Sequence, residues 1–229
     1  MTPKKIIGII CIIAAICLLL TPNILYMVDT HKNNEAKDEL LSEIENLLDE
    51  TLPPETTTTT TPPETDTNDV PTIEETTPPE TTPTKAPYKP YRTSTNEEVD
   101  GILYIPSIDL ELPILTNVTE KGLNKTCARV TNTGAPGCNN YCIMGHVMKN
   151  YGYIFNRLHE VRKGDIITVK ARNYTYNYRV TETFVTEGLD MNILEDVEGK
   201  QIVTVFCCSY QVNNGRLVVR GELETIHYN

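Results

Sequence analysis

The sequence is short of positive charge. Its 229 residues hold 20 Lys/Arg against 31 Asp/Glu, a formal net charge of −11, and a balance of that sign argues against a nucleic-acid partner. The deficit is uneven, with 7 Lys/Arg against 15 Asp/Glu in residues 1–93 and 13 against 16 in residues 94–229. Large apolar side chains are almost missing from residues 51–93, where ten of the fifteen prolines fall. A segment of that composition cannot bury a core, so residues 51–96 are expected to form a disordered, partly polyproline Thr/Pro-rich stalk. At about 3.1 Å per residue, roughly 40 residues reach on the order of 120 Å, a span suited to work within or across a cell wall.

The N-terminus lacks two things. No small-x-small cleavage site follows its apolar run, Ile6 to about Val28, which disfavours a cleaved signal peptide. No small residue precedes Cys11 or Cys17, which follow Ile10 and Ile16, so neither reads as a lipid attachment site. About 20 apolar residues span a bilayer. Lys4 and Lys5 put the N-terminus in the cytoplasm, with everything after Asp29 outside. Residues 1–32 are thus expected to be a single-pass transmembrane anchor in the cell membrane. Residues 33–50 place Leu40, Leu41, Ile44, Leu47 and Leu48 at helical spacing, which predicts an acidic amphipathic juxtamembrane helix.

Residues 97–229 lack long helical patterns and are of ordinary domain size. Short strands are expected at GILYIP, LELPILT and NYCIMGHV, a brief helix at TEKGLNK, and a long hairpin turning near Arg172–Asn173. QIVTVFCC and RLVVRGELE close the chain as a second hairpin. Seven or eight short strands in such a length argue an all-β closed barrel or a sandwich.

That last hairpin separates two adjacent cysteines. With a symmetric loop over residues 209–215, Cys208 lies opposite Arg216 and Cys207 opposite Leu217, and directly opposite residues share a face. One face is then Val203, Val205, Cys207, Leu217 and Val219, all apolar; the other carries Thr204, Phe206, Cys208, Arg216, Val218 and Arg220. Cys207 reads as core. Cys208 reads as a thiol beside a guanidinium, a neighbour that favours the nucleophilic thiolate. Arg220, four residues along, would be roughly 13 Å away. A cysteine nucleophile needs an acid-base partner. Of the four histidines, His31 sits at the membrane edge, His227 near the C-terminus and His159 in a polar stretch, whereas His146 follows an apolar strand and a glycine. A strand end is where a rigid scaffold presents functional side chains.

The ordered set GILYIPSIDLELPI, GHVMKNYGYIFNRLHEVRKGD and VTVFCCSYQVNNGRLVVRGEL resembles the sortases, membrane-anchored cysteine transpeptidases of Gram-positive surfaces, in a class D-like or short class B-like form. The resemblance covers nearly all of residues 100–224. It implies a sortase-like closed β-barrel with short helices over residues 97–229, with His146 as catalytic histidine, Cys208 as nucleophile and Arg216 facing the thiol. It also implies a reaction: cleavage of a C-terminal sorting signal of the Leu-Pro-x-Thr-Gly kind through a Cys thioester, then transfer to an amine of a peptidoglycan precursor or a pilin. It implies no cofactor or metal. One motif position differs: Cys207 stands where the family usually has Thr.

The alternative is a stalked, extracellular, non-catalytic module with a structural Cys/His metal or disulfide site. Cys138, Cys142 and His146 are spaced by four, but on a strand four residues span about 13 Å, too far for ligands of one zinc. A disulfide among Cys127, Cys138 and Cys142 suits an exported chain, with its pairing left open. A papain-like hydrolase usually runs Cys before His, the reverse of the order here.

Overall fold

The computed structural model describes the backbone of residues 3–49 and all of residues 89–148 and 153–229, with helix side chains from Thr21 on, Asn23 and Asp49 excepted. Nine strands follow one long helix. They are β1 (Tyr91–Arg92), β2 (Glu98–Ile105), β3 (Leu110–Leu115), β4 (Cys127–Arg129), β5 (Asn140–Met144), β6 (Ile166–Ala171), β7 (Tyr174–Val185), β8 (Ile202–Cys208) and β9 (Arg216–Tyr228). The sheet runs β1-β2-β3-β4-β5-β8-β9-β7-β6, and a further β2–β6 pairing closes it. Eight strands, β2 to β9, therefore make a closed barrel with β1 added at its edge, and closure leaves few unpaired edges. The all-β barrel read from the sequence is what the chain forms.

Local chemistry accounts for the elements. The β6–β7 hairpin turns at Arg172–Asn173, with Ala171 opposite Tyr174. The short helix α2 (Glu120–Leu123) is capped by Thr119, whose side chain accepts from Gly122 N–H, the usual satisfaction of an unpaired N-terminal donor. Alternate residues of the barrel strands point inward, so Leu103, Ile105, Leu112, Ile114, Val169, Val203, Val205 and Val219 meet in one buried cluster. Phe155 and Leu158, a Phe-x-x-Leu pair within the GHVMKNYGYIFNRLHEVRKGD stretch, belong to the same core.

The N-terminal helix α1 (Pro3–Asp49) is continuous and contains Pro22, which removes one i→i−4 hydrogen bond. Its last turns lie on the barrel. Leu40 and Ile44 are buried against Tyr91, Val99, Ile102 and Leu115, and Leu41, Leu47 and Leu48 pack at the margin of that cluster. The Glu43 carboxylate accepts from Ser94 N–H. The amphipathic stripe of residues 33–50 thus has a partner within its own chain. Most of the stalk segment, residues 51–88, lies outside the described residues, as do the side chains of the apolar run up to Leu20. Among the described residues no helix is long and apolar enough to cross a membrane. The sheet begins at Tyr91, six residues ahead of the boundary read at residue 97.

Candidate active site

Strand β8 carries Cys208 at its end, between two neighbours that come from distant parts of the chain. On one side β9 runs antiparallel, pairing Cys208 with Arg216 and Cys207 with Leu217, the register read from the sequence. On the other side β5 runs parallel, pairing Cys142 with Thr204 and Met144 with Phe206. Gly145 N–H extends that pairing to Phe206 O at 3.2 Å. Because β5 and β8 run parallel, His146, two residues past Met144, lies at the same end of the barrel as Cys208. Neighbouring strands lie about 4.8 Å apart, so Cys208 has Arg216 directly beside it, with the end of β5 on its other side.

The two faces of β8 are chemically distinct. Cys207, 2% exposed, joins Val203, Val205 and Val219 in the barrel core. Phe206, on the other face, packs with Cys142, Val218 and Ile193. Burial pushes the Cys207 thiol up to about 12, against a smaller lowering from the Arg216 guanidinium. Cys142 is likewise pushed up to about 12 by burial, and Cys127 well above the thiol range for the same reason. These three are protonated, inert packing. Among the described cysteines only Cys208 is exposed, as a nucleophile must be.

Glycine is required just before His146. A Cβ on Gly145 would stand 2.7 Å from the Phe155 ring and 2.9 Å from Ile154, so the Gly-His and Phe-x-x-Leu motifs form one packing unit. The chain then folds back on itself. Phe155 N–H donates to His146 O at 3.3 Å, and Val147 and Ile154 form an isolated antiparallel bridge. No hydrogen bond holds the His146 ring among the described residues.

Arg216 is held at both backbone and side chain. Its N–H donates to Thr186 Oγ1 at 2.8 Å, and its carbonyl accepts from Thr186 N–H at 2.9 Å. One guanidinium nitrogen, Nη1, donates to Asn214 O and Gly215 O, each at 3.0 Å. Nε and Nη2 keep their donors free among the described residues, so the guanidinium is anchored without being used up. The loop it anchors is tight: Ser209 N–H donates to Gly215 O at 3.0 Å, and Asn214 takes the left-handed conformation, φ 59°, which Asn tolerates. Beside Cys208 lies a cavity of about 180 Å³, lined by Val147, Phe155, Val185, Cys207, Tyr210 and Leu217.

Of the three residues singled out in the sequence, Cys208 and Arg216 stand directly opposite each other, and His146 follows β5 at the same end of the barrel. His159 lines the same cavity with its Nδ1 3.0 Å from Asn156 O. His31 pairs with Glu35 on α1. Thr186 went unrecognised in the sequence, because one threonine at a strand end carries no periodic signal. The alternatives fare worse. All five described cysteines are free, so the question of a disulfide among Cys127, Cys138 and Cys142, open in the sequence, is answered by three unpaired thiols. The first lies in the barrel core and the last on its outer face. No group of three or more His, Cys, Asp or Glu among the described residues is placed to hold a metal ion.

A sequence model of the sortase domain matches residues 103–224. The chain belongs to the sortase family. Among its relatives, this sortase-family chain is 34% identical over 127 residues to a Bacillus anthracis sortase A, across 56% of the chain and 60% of the relative. It is 26% identical to a Listeria monocytogenes sortase A, across 56% and 58%. The match thus spans less than two thirds of either relative. The solved Listeria monocytogenes sortase A superposes with a TM-score of 0.54 at 25% identity, covering 57% of this chain and 90% of that one. A Streptococcus pneumoniae sortase C, described for its pilin substrate specificity, gives 0.53 at 25% identity, covering 57% and 68%.

Proposed function

We propose that this chain is a membrane-anchored cysteine transpeptidase acting on surface proteins that carry a C-terminal sorting signal of the Leu-Pro-x-Thr-Gly kind. The observation that supports the reading is the strand order β5-β8-β9, which pairs the exposed Cys208 with Arg216 and brings the chain leading to His146 to the same end of the barrel.

The steps follow from what each group can do. The Cys208 thiolate attacks the scissile carbonyl carbon, and the carbonyl electron pair moves onto oxygen. The free Nε and Nη2 donors of Arg216 stabilise that oxyanion, as preorganised donors do most effectively where water is excluded. Collapse breaks the C–N bond, His146 protonates the departing amine, and a thioester remains. An amine of a peptidoglycan precursor or a pilin lysine then attacks the thioester. His146 takes its proton, the two-way role of a general acid-base, and the Cys208 thiolate leaves. The cavity beside Cys208, lined by Val147, Phe155, Val185, Tyr210 and Leu217, suits the apolar Leu-Pro end of the signal.

The apolar run from Ile6 anchors the chain in the cell membrane, with its N-terminus cytoplasmic and the barrel outside. The Thr/Pro-rich segment joins the anchored helix to the barrel. Incubating the full-length chain with a Leu-Pro-x-Thr-Gly peptide and an amine acceptor tests the reading. The expected result is an intact-mass shift of one acyl group on Cys208, discharged by the amine. Absence of both the adduct and peptide cleavage sinks it.

A further inference from the structure

We propose that Asn156 is a positioning residue that sets the place of His146 relative to Cys208. The inference rests on the reading of His146 as the general acid-base.

Strand β5 ends at Met144, so its register with β8 stops short of His146 itself. The backbone around His146 bears directly on where its imidazole stands. Three attachments hold that backbone. Gly145 N–H reaches Phe206 O at 3.2 Å, and His146 O accepts from Phe155 at 3.3 Å, both near the long limit for such bonds. The third is the Asn156 side chain. Its Oδ1 accepts from Met148 N–H at 2.6 Å, and its Nδ2 donates to Met148 O at 2.7 Å. The amide thus grips both polar groups of one residue, two positions beyond His146, as a neighbouring strand would.

Asn156 is suited to that grip because it is itself fixed. It is 7% exposed, its N–H donates to Tyr153 O at 3.1 Å, and it lies between Phe155 and Leu158, both rooted in the barrel core. The clamp also touches the nucleophile's loop: Met148 O accepts from Tyr210 Oη at 3.4 Å. Met148 and Tyr210 stand two residues beyond His146 and Cys208 respectively. The Met148 carbonyl, held by Asn156, thus also lies at the long limit of contact with the loop that follows Cys208. Each bond contributes only about 1 kcal/mol of net stability, but a misplacement near 1 Å at a reacting group can cost about 10²-fold in rate.

The test uses the full-length chain with Asn156→Ala, Asn156→Asp, His146→Ala and the Asn156→Ala/His146→Ala double variant. Thermal unfolding first establishes which of them fold. Two readouts follow: turnover of a Leu-Pro-x-Thr-Gly peptide, and the pH dependence of Cys208 alkylation by iodoacetamide, which needs no substrate. Asn156→Ala should lower kcat about 10²-fold with KM changed by less than about twofold, and should move the alkylation profile toward that of His146→Ala. Asn156→Asp keeps the acceptor for Met148 N–H and should recover about tenfold of the loss; it carries the test if the alanine variant does not fold. In the His146→Ala background, Asn156→Ala should change nothing further. A folded Asn156→Ala with wild-type kcat and wild-type alkylation profile overturns the proposal, as does a loss of the same size in the His146→Ala background. If His146→Ala itself leaves turnover and alkylation as in the wild type, the reading of the active site fails first.

Discussion

Cys207 and Cys208 are chain neighbours with opposite fates. The first lies in the barrel core, where burial pushes its thiol up to about 12; the second is exposed between Arg216 and the end of β5. They share the same strand and differ only in parity. Successive side chains of a strand point to opposite faces, so a one-residue slip of β8 would exchange their roles. Residue type thus says little about reactivity here, and the environment on each side of the sheet says nearly everything.

The largest effect that separates the two faces is loss of the nucleophile. Cys208→Ala should abolish peptide cleavage and acyl-enzyme trapping while leaving the unfolding temperature near that of the wild type, read by turnover, intact mass and calorimetry. A dead Cys207→Ala beside an active Cys208→Ala would overturn the site assignment. Next comes the guanidinium. Arg216→Ala should cut turnover by about 10²–10³, the loss expected for one oxyanion donor, with the fold retained because Thr186 still holds the backbone of residue 216.

The inner face should respond to alkali. A buried thiol whose folded pKa lies above its unfolded value near 9 contributes stability that is fully present below pH 9. That stability is lost as pH rises through the folded value, about 12 for Cys207 and Cys142. Chemical denaturation between pH 8 and pH 11 should show a falling stability, at most about 1.4 kcal/mol per pH unit for each buried thiol. Cys207→Ala should flatten that slope. The smallest effect is Cys207→Ala at neutral pH, a loss of about 1 kcal/mol with activity retained, as for removing a small buried group.

The legibility of the chain follows the range of the interaction that decides each feature. The β8–β9 register could be read because a short loop joins the two strands and the valines mark which side is inside. The β6–β7 turn at Arg172–Asn173 was visible for the same local reason. The docking of Leu40 and Ile44 on β2 and β3 was not, since an amphipathic stripe announces a partner without naming it. Asn156 and Thr186 left no trace, because single polar residues in loops acquire their roles only from backbone groups brought to them by folding.

The sequence by itself determined the strand parity that makes Cys208 rather than Cys207 the outward thiol, and the hairpin that sets Arg216 opposite it. These rest on a period of two and a short loop, both local properties of the chain. Only the tertiary structure decided that β5 runs parallel to β8 and delivers His146 to the same end of the barrel. Parallel neighbours cannot be joined by a tight turn. The pairing is therefore made by barrel closure and the packing of Phe155 and Leu158 into its core, contacts no local pattern encodes.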